Sequence, residues 1–109
     1  MAYDEDLVER IRVVLADRPD VSERKMFGGL TFMLRGNMCC GVDKTNLLVR
    51  VGPDAYDEAL ALPGARLMDF TDRPMKGMVF VGPEGYESDD GLAAWVERGV
   101  EYALSLPAK

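Results

Sequence analysis

The chain has 109 residues, 48% of them hydrophobic and 29% charged, with a formal net charge of −6. This is the make-up of one soluble globular domain, spanning 1–109 and long enough to bury a core without disulfide or metal staples. It excludes a membrane-spanning helix, since no apolar run approaches the ~20 residues required. It also disfavours direct nucleic-acid binding, which calls for clustered Lys and Arg.

Asp4 is placed to cap a first helix running to about Ala16. Leu7, Ile11, Val14 and Leu15 recur there at helical spacing, with Val8 flanking the stripe. Residues 21–27 read as a short strand, and Gly28-Gly29 as the turn that follows. Residues 30–35 alternate, with Leu30, Phe32 and Leu34 on one face and Thr31, Met33 and Arg35 on the other. Gly36-Asn37 is a two-residue hairpin signal. Residues 38–42 return with Met38, Cys40 and Val42 on one face. After a turn at 43–46, residues 47–51 follow, with Leu47, Val49 and Val51 opposed to Leu48 and Arg50.

A shorter helix is expected from about Asp54 to Leu62, with Pro53 at its start and Pro63-Gly64 at its end. Two strands near 65–70 and 76–81 flank Thr71-Asp72-Arg73-Pro74, and Gly82-Pro83 and Gly85 form a loop. Ser88 caps the last helix, whose apolar stripe is Leu92, Trp95, Val96, Gly99, Val100, Ala103 and Leu104. The order helix, four strands, helix, two strands, helix predicts an α+β two-layer sandwich. Its antiparallel sheet has five to six strands, with three helices on one face. The other face is left with Thr31, Met33, Arg35, Leu48 and Arg50, a mixed surface for a partner or for water.

The charge is uneven. Residues 1–20 carry three basic and six acidic side chains, 21–80 eight and seven, and 81–109 two and six. The acidic surplus therefore sits in the terminal segments. There is no histidine, which removes His-based triads, most acid–base schemes at neutral pH and most zinc sites. No metal, cofactor or catalytic constellation is expected. Cys39 and Cys40 are neighbours, and Cα atoms about 3.8 Å apart across a trans peptide are too close for an ordinary disulfide. A reducing compartment fits, and the acidic start at Met1–Asp6 lacks a signal-peptide pattern, so the chain reads as cytoplasmic. On a regular strand the two thiols point to opposite faces, one buried and one exposed.

Arg24-Lys25-Met26-Phe27-Gly28-Gly29, the strand Leu47-Leu48-Val49-Arg50 after a glycine-turn hairpin, the strand Met78-Val79-Phe80, and the closing helix with Leu92 and Trp95 together resemble the N-terminal domain of the TfoX/Sxy family. The resemblance covers about residues 5 to 106. It implies a two-layer α/β fold and a regulatory, non-enzymatic accessory role linked to transcription or competence control. Longer family members carry a second, C-terminal domain, which this chain ends too early to contain. Cys39-Cys40 stand where the family often has Phe-Ala.

The expected function is therefore a non-enzymatic regulatory or protein-interaction domain. Its partner would be an unidentified protein, a second copy of the chain being one candidate. The expected contact residues are Lys25, Phe27, Gly28, Gly29, Arg50, Arg73 and Lys76. The alternative from a different class is a small-molecule or anion site near the Gly28-Gly29 turn, Arg50 and Lys76. There the glycine pair would offer backbone N–H groups as a nest.

Overall fold

The computed structural model describes residues 3–26, 29–67 and 77–108. Its elements are α1 (Glu5–Val14), β1 (Val21–Met26), β2 (Gly29–Leu34), β3 (Asn37–Asp43), β4 (Asn46–Arg50), α2 (Tyr56–Leu60), β5 (Ala65–Leu67), β6 (Met78–Val81), α3 (Pro83–Tyr86) and α4 (Asp89–Leu104). The six strands form one antiparallel sheet in the order β1-β2-β3-β4-β6-β5. The first four make a meander; β6 then pairs with β4 and leaves β5 at the far edge. The expected α+β sandwich is present, with one addition. Residues 83–86, expected as loop, make a one-turn helix, with Pro83 at its first position where a missing N–H costs nothing.

Both long helices start where their capping residues predict. Asp4 Oδ1 accepts from the N–H groups of Asp6 and Leu7, at 3.0 and 3.2 Å, and Ser88 Oγ accepts from Gly91 N–H at 3.0 Å. Their apolar stripes, Leu7, Val8, Ile11 and Leu15 on the first and Leu92, Trp95, Val96, Val100 and Ala103 on the second, enter one core. Leu30, Phe32, Leu34, Val42, Leu47, Val49, Val79 and Val81 complete it from the sheet.

The hairpin between β2 and β3 turns at Arg35-Gly36, not at Gly36-Asn37. Leu34 pairs with Asn37, and both loop residues have positive φ, 53° and 83°. That is the pattern of a type I′ turn, whose twist matches the strands it joins. Arg35 tolerates the left-handed conformation with two ties to Asp20, from its backbone N–H to the carbonyl at 3.1 Å and from Nε to Oδ2 at 2.8 Å. Asn37 is 1% exposed and donates from Nδ2 to the Pro107 carbonyl at 2.9 Å, tying the chain after α4 to the sheet.

A β-bulge separates Phe32, opposite Cys40, from Met33, opposite Met38, and leaves Cys39 as the extra residue. The bulge breaks the alternation on which the opposite-face expectation for the two cysteines rests. Both are buried in the helix-side core. Met38 is displaced to the other face, where it joins Leu48, Met78, Phe80 and the half-buried Met33 in a second apolar cluster. The mixed open surface expected there is accordingly absent at its centre. Thr31 and Leu48 are 2% and 3% exposed, Met33 is half-buried against the cluster, Arg35 lies in the turn, and Arg50 is half-buried near the margin.

Cys39 also sets the seat of α4. A Cβ on Gly99 would stand 2.3 Å from the Cys39 carbonyl oxygen and 3.0 Å from its carbon. These are backbone atoms of a bulge held between the paired residues Met38 and Cys40, and they cannot swing away as a side chain could. In an exposed helix Gly→Ala gains up to about 1 kcal/mol of propensity. Here overpacking of about 1–3 kcal/mol opposes that gain. We expect Gly99→Ala to lower stability in urea denaturation by about 1–2 kcal/mol net and to reduce Tm by several degrees. An unchanged or raised Tm would show that the helix is free to lift off the strand.

Candidate functional site

Of the contact residues expected from sequence, Phe27, Gly28, Arg73 and Lys76 lie outside the described residues. Lys25 is exposed on β1, an edge strand, beside the equally exposed Arg24. Gly29 is the first residue of β2, not part of a turn, and it pairs with Met26. Its φ is not among the positive ones. What it supplies is clearance, because a Cβ there would fall 2.0 Å from the Val42 carbonyl oxygen. Arg50 ends β4 and lies with its guanidinium carbon 5.2 Å from the centre of the Tyr102 ring.

Lys25 and Arg50 do not converge. Their strands are three spacings apart in the sheet, roughly 14 Å at ~4.8 Å each. The register Lys25–Leu30, Leu30–Val42, Val42–Leu47 puts Arg50 three residues further along, roughly another 10 Å. The two described cations of the expected contact set therefore occupy separate places.

Clefts open elsewhere. One of about 230 Å³ is lined by Val51, Ala55, Arg98, Glu101 and Tyr102. A second, about 310 Å³, lies beside Pro63, Gly85, Ser88, Trp95 and Arg98. A third, about 460 Å³, runs between α1 and the start of α4, lined by Arg10, Val13, Val14, Asp89, Asp90, Leu92 and Ala93. None of the three is lined by Lys25, Gly29 or Arg50. Sequence reading placed no site at any of them. The one signal available was Val13, an apolar residue off the α1 stripe, which is 75% exposed.

Most of the described cations brace the fold. Arg10 Nη2 donates to the carbonyls of Tyr86 and Glu87 at 2.9 and 3.3 Å and to Asp89 Oδ1 at 3.3 Å. Arg12 spans Glu9 on its own helix and Glu23 on β1, reaching the Glu23 oxygens at 2.8 and 2.7 Å. Arg18 meets Glu97 at 3.9 Å. Arg66 donates to Asn46 and lies 5.9 Å from the Phe80 ring centre. Arg98 lies 5.6 Å from the Trp95 ring centre and 3.4 Å from Glu58. The Arg35 guanidinium holds the Asp20 carboxyl below its usual range, and Arg12 does the same for Glu23.

The β3–β4 turn is also held at both of its carbonyls. Asp4 N–H donates to Lys44 O at 2.7 Å, and the Tyr86 hydroxyl donates to Thr45 O at 2.6 Å. Cys39 and Cys40 are free thiols, both buried. A hydrogen bond with the Cys39 thiol, and then burial, push the Cys40 thiol well above the ordinary range, away from the thiolate that nucleophilic chemistry needs.

The family model for the TfoX N-terminal domain matches residues 14–103, and the chain belongs to that family. Most of α1 precedes the matched span. No curated protein and no solved structure matches the chain.

Two outcomes follow from these groups. In the folded protein neither thiol should react with a thiol reagent on the timescale of an exposed cysteine, and labelling should appear only as the protein opens. Rapid native-state labelling of either residue would contradict the burial. Asp20 and Glu23 titrate lower in the folded than in the unfolded chain. Their stabilisation is therefore present above the ordinary carboxylate range and is lost as pH falls through it. Urea denaturation between about pH 6 and pH 3 should show stability declining with acid, and less steeply in Arg12→Gln/Arg35→Gln. Equal slopes would mean that the two ion pairs do not contribute.

Proposed function

We propose that this TfoX N-terminal domain is a non-enzymatic regulatory module that acts through protein interaction in the cytoplasm, in transcription or competence control. One observation carries the reading: the side chains best suited to chemistry are committed to the fold. Of the ten described Lys and Arg residues, Arg10, Arg12, Arg18, Arg35, Arg50, Arg66 and Arg98 lie on a carboxylate, carbonyl, amide or ring. Both thiols are inside. What the described residues offer outward is relief and charge rather than a constellation of reactive groups. No described helix is long and apolar enough to cross a membrane, which agrees with a module working in solution.

The test is capture from native-host extract with the tagged chain, wild type against Arg24→Ala/Lys25→Ala, with partners identified by mass spectrometry. We expect a partner retained in near-stoichiometric amount by the wild type. Loss in the double variant would place the contact on the β1 edge, and retention would keep the reading while moving the contact off that edge. No partner above background, together with a melting shift of several degrees in a metabolite screen, would overturn the reading in favour of small-molecule binding.

A further inference from the structure

We propose that the groove between α1 and α4 docks a basic amphipathic helix of a partner protein. The proposal rests on the interaction reading above and gives it a surface and a partner chemistry. It starts from how the two helices are joined. Arg10 on α1 reaches Asp89 at 3.3 Å, and Arg18, four residues beyond the end of α1, reaches Glu97 at 3.9 Å, so α1 and the segment that follows it are tied to α4 at two points about eight residues apart. Between the two ties the facing surfaces do not close. They leave the groove of about 460 Å³, comparable to the roughly 300–1,000 Å³ of small-molecule sites.

The groove is apolar where a helix anchor would enter. Leu92 is buried, Val14 and Ala93 are half-buried, and Val13 stands 75% exposed beside them. An amphipathic helix laid into such a groove presents its anchors at i, i+3 or i+4 and i+7.

Charge selects the occupant. The groove itself is lined by Asp89 and Asp90 against Arg10; over α1 and α4 together seven acidic side chains (Glu5, Asp6, Glu9, Asp89, Asp90, Glu97 and Glu101) stand against three basic ones (Arg10, Arg12 and Arg98), with Arg18 just beyond α1 tied to Glu97. The cations are not free to receive an acidic partner. Arg10 is ringed by two carbonyls and a carboxylate, Arg12 faces Glu9 and Glu23, and Arg98 lies away on Trp95 and Glu58. Asp89 and Asp90 at the groove's end are exposed. A second copy of this acidic chain would set like charge against like charge, whereas Lys and Arg flanking an apolar anchor would be complementary and would speed the encounter.

The test uses a fluorescein-labelled 16-residue peptide of leucine and lysine at helical spacing. Its two controls are a scrambled peptide of the same composition and a glutamate-for-lysine version. Binding is followed by anisotropy at low and moderate salt and mapped on ¹⁵N-labelled protein. The protein variants are Val13→Ser and Asp89→Asn/Asp90→Asn; all three positions are exposed, and melting curves check that the fold survives. We expect the amphipathic peptide to perturb amides in residues 10–14 and 89–93 first. Affinity should fall fivefold or more in each variant and fall further with salt, and the glutamate peptide should not bind. Equal binding of the scrambled peptide, perturbation centred elsewhere, or undiminished affinity in both variants would overturn the proposal. Capture from extract separates the two levels. A natural partner kept by a combined Val13→Ser/Asp89→Asn/Asp90→Asn protein sinks the groove and leaves the interaction reading standing. Failure of the wild type to capture any partner strikes at that reading itself, while the peptide result still decides the groove.

Discussion

The helical side of this domain depends on how closely α4 approaches β3. Gly99 rests against the Cys39 carbonyl, at a distance no side chain would allow. Cys39 is there to be met because the bulge in β3 pushes one extra residue into the helix-side core. With the helix seated this low, its Trp95, Val96, Val100 and Ala103 reach the same core as Phe32, Val49 and Val79. The Cys39 sulfur comes within 4.0 Å of the Val96 carbonyl. The strand pair beneath is equally tight. A Cβ on Gly41 would lie 2.7 Å from the Leu30 carbonyl oxygen, so the paired strands β2 and β3 leave no room there for a side chain. Small residues and one bulge thus do what a larger core would otherwise do by volume, which matters in a chain of 109 residues.

Local signals were well written in the chain, and those that depend on distant neighbours were not. Asp4 and Ser88 cap where their side-chain chemistry says they should, and the stripes of α1 and α4 bury the residues that helical spacing selects except Val14, half-buried, and Leu104, 40% exposed. The β2–β3 hairpin was legible as a hairpin but was placed one residue late. Glycine and asparagine both favour positive φ, and nothing local says that Arg35, tied to Asp20, takes the first turn position instead. The bulge at Cys39 was invisible, since alternation is the only guide to strand facing and a bulge is its interruption. The misassigned cysteine faces and the unforeseen second cluster of Met38, Leu48, Met78 and Phe80 both follow from that one residue. For the site, sequence named cations near glycine turns, but proximity in the sheet depends on register and strand order. Lys25 and Arg50 end up on strands separated by two others.

The packing of α1 beside α4 changes what the charge pattern means. In the sequence the two acidic segments lie at opposite ends and look like separate solvated stretches. In the fold Arg10 and Arg18 bring them side by side, so much of the chain's surplus negative charge gathers on one layer. The ties themselves are partly exposed and contribute little individually to stability. Their larger effect is on shape, because they fasten α1 and the segment after it to α4 while leaving the space between the helices open.

Trp95 is the only tryptophan in the chain, it is 5% exposed, and the Arg98 guanidinium lies 5.6 Å from its ring centre. A lone indole in that setting is an optical label built into the helix that closes the core. Its emission wavelength registers the departure of α4 from the sheet, and its intensity responds to the cation beside it. Refolding, ligand entry at the neighbouring cleft and loosening of the last helix can therefore all be followed by intrinsic fluorescence in the unmodified protein, with the indole excited at wavelengths where the four tyrosines do not absorb.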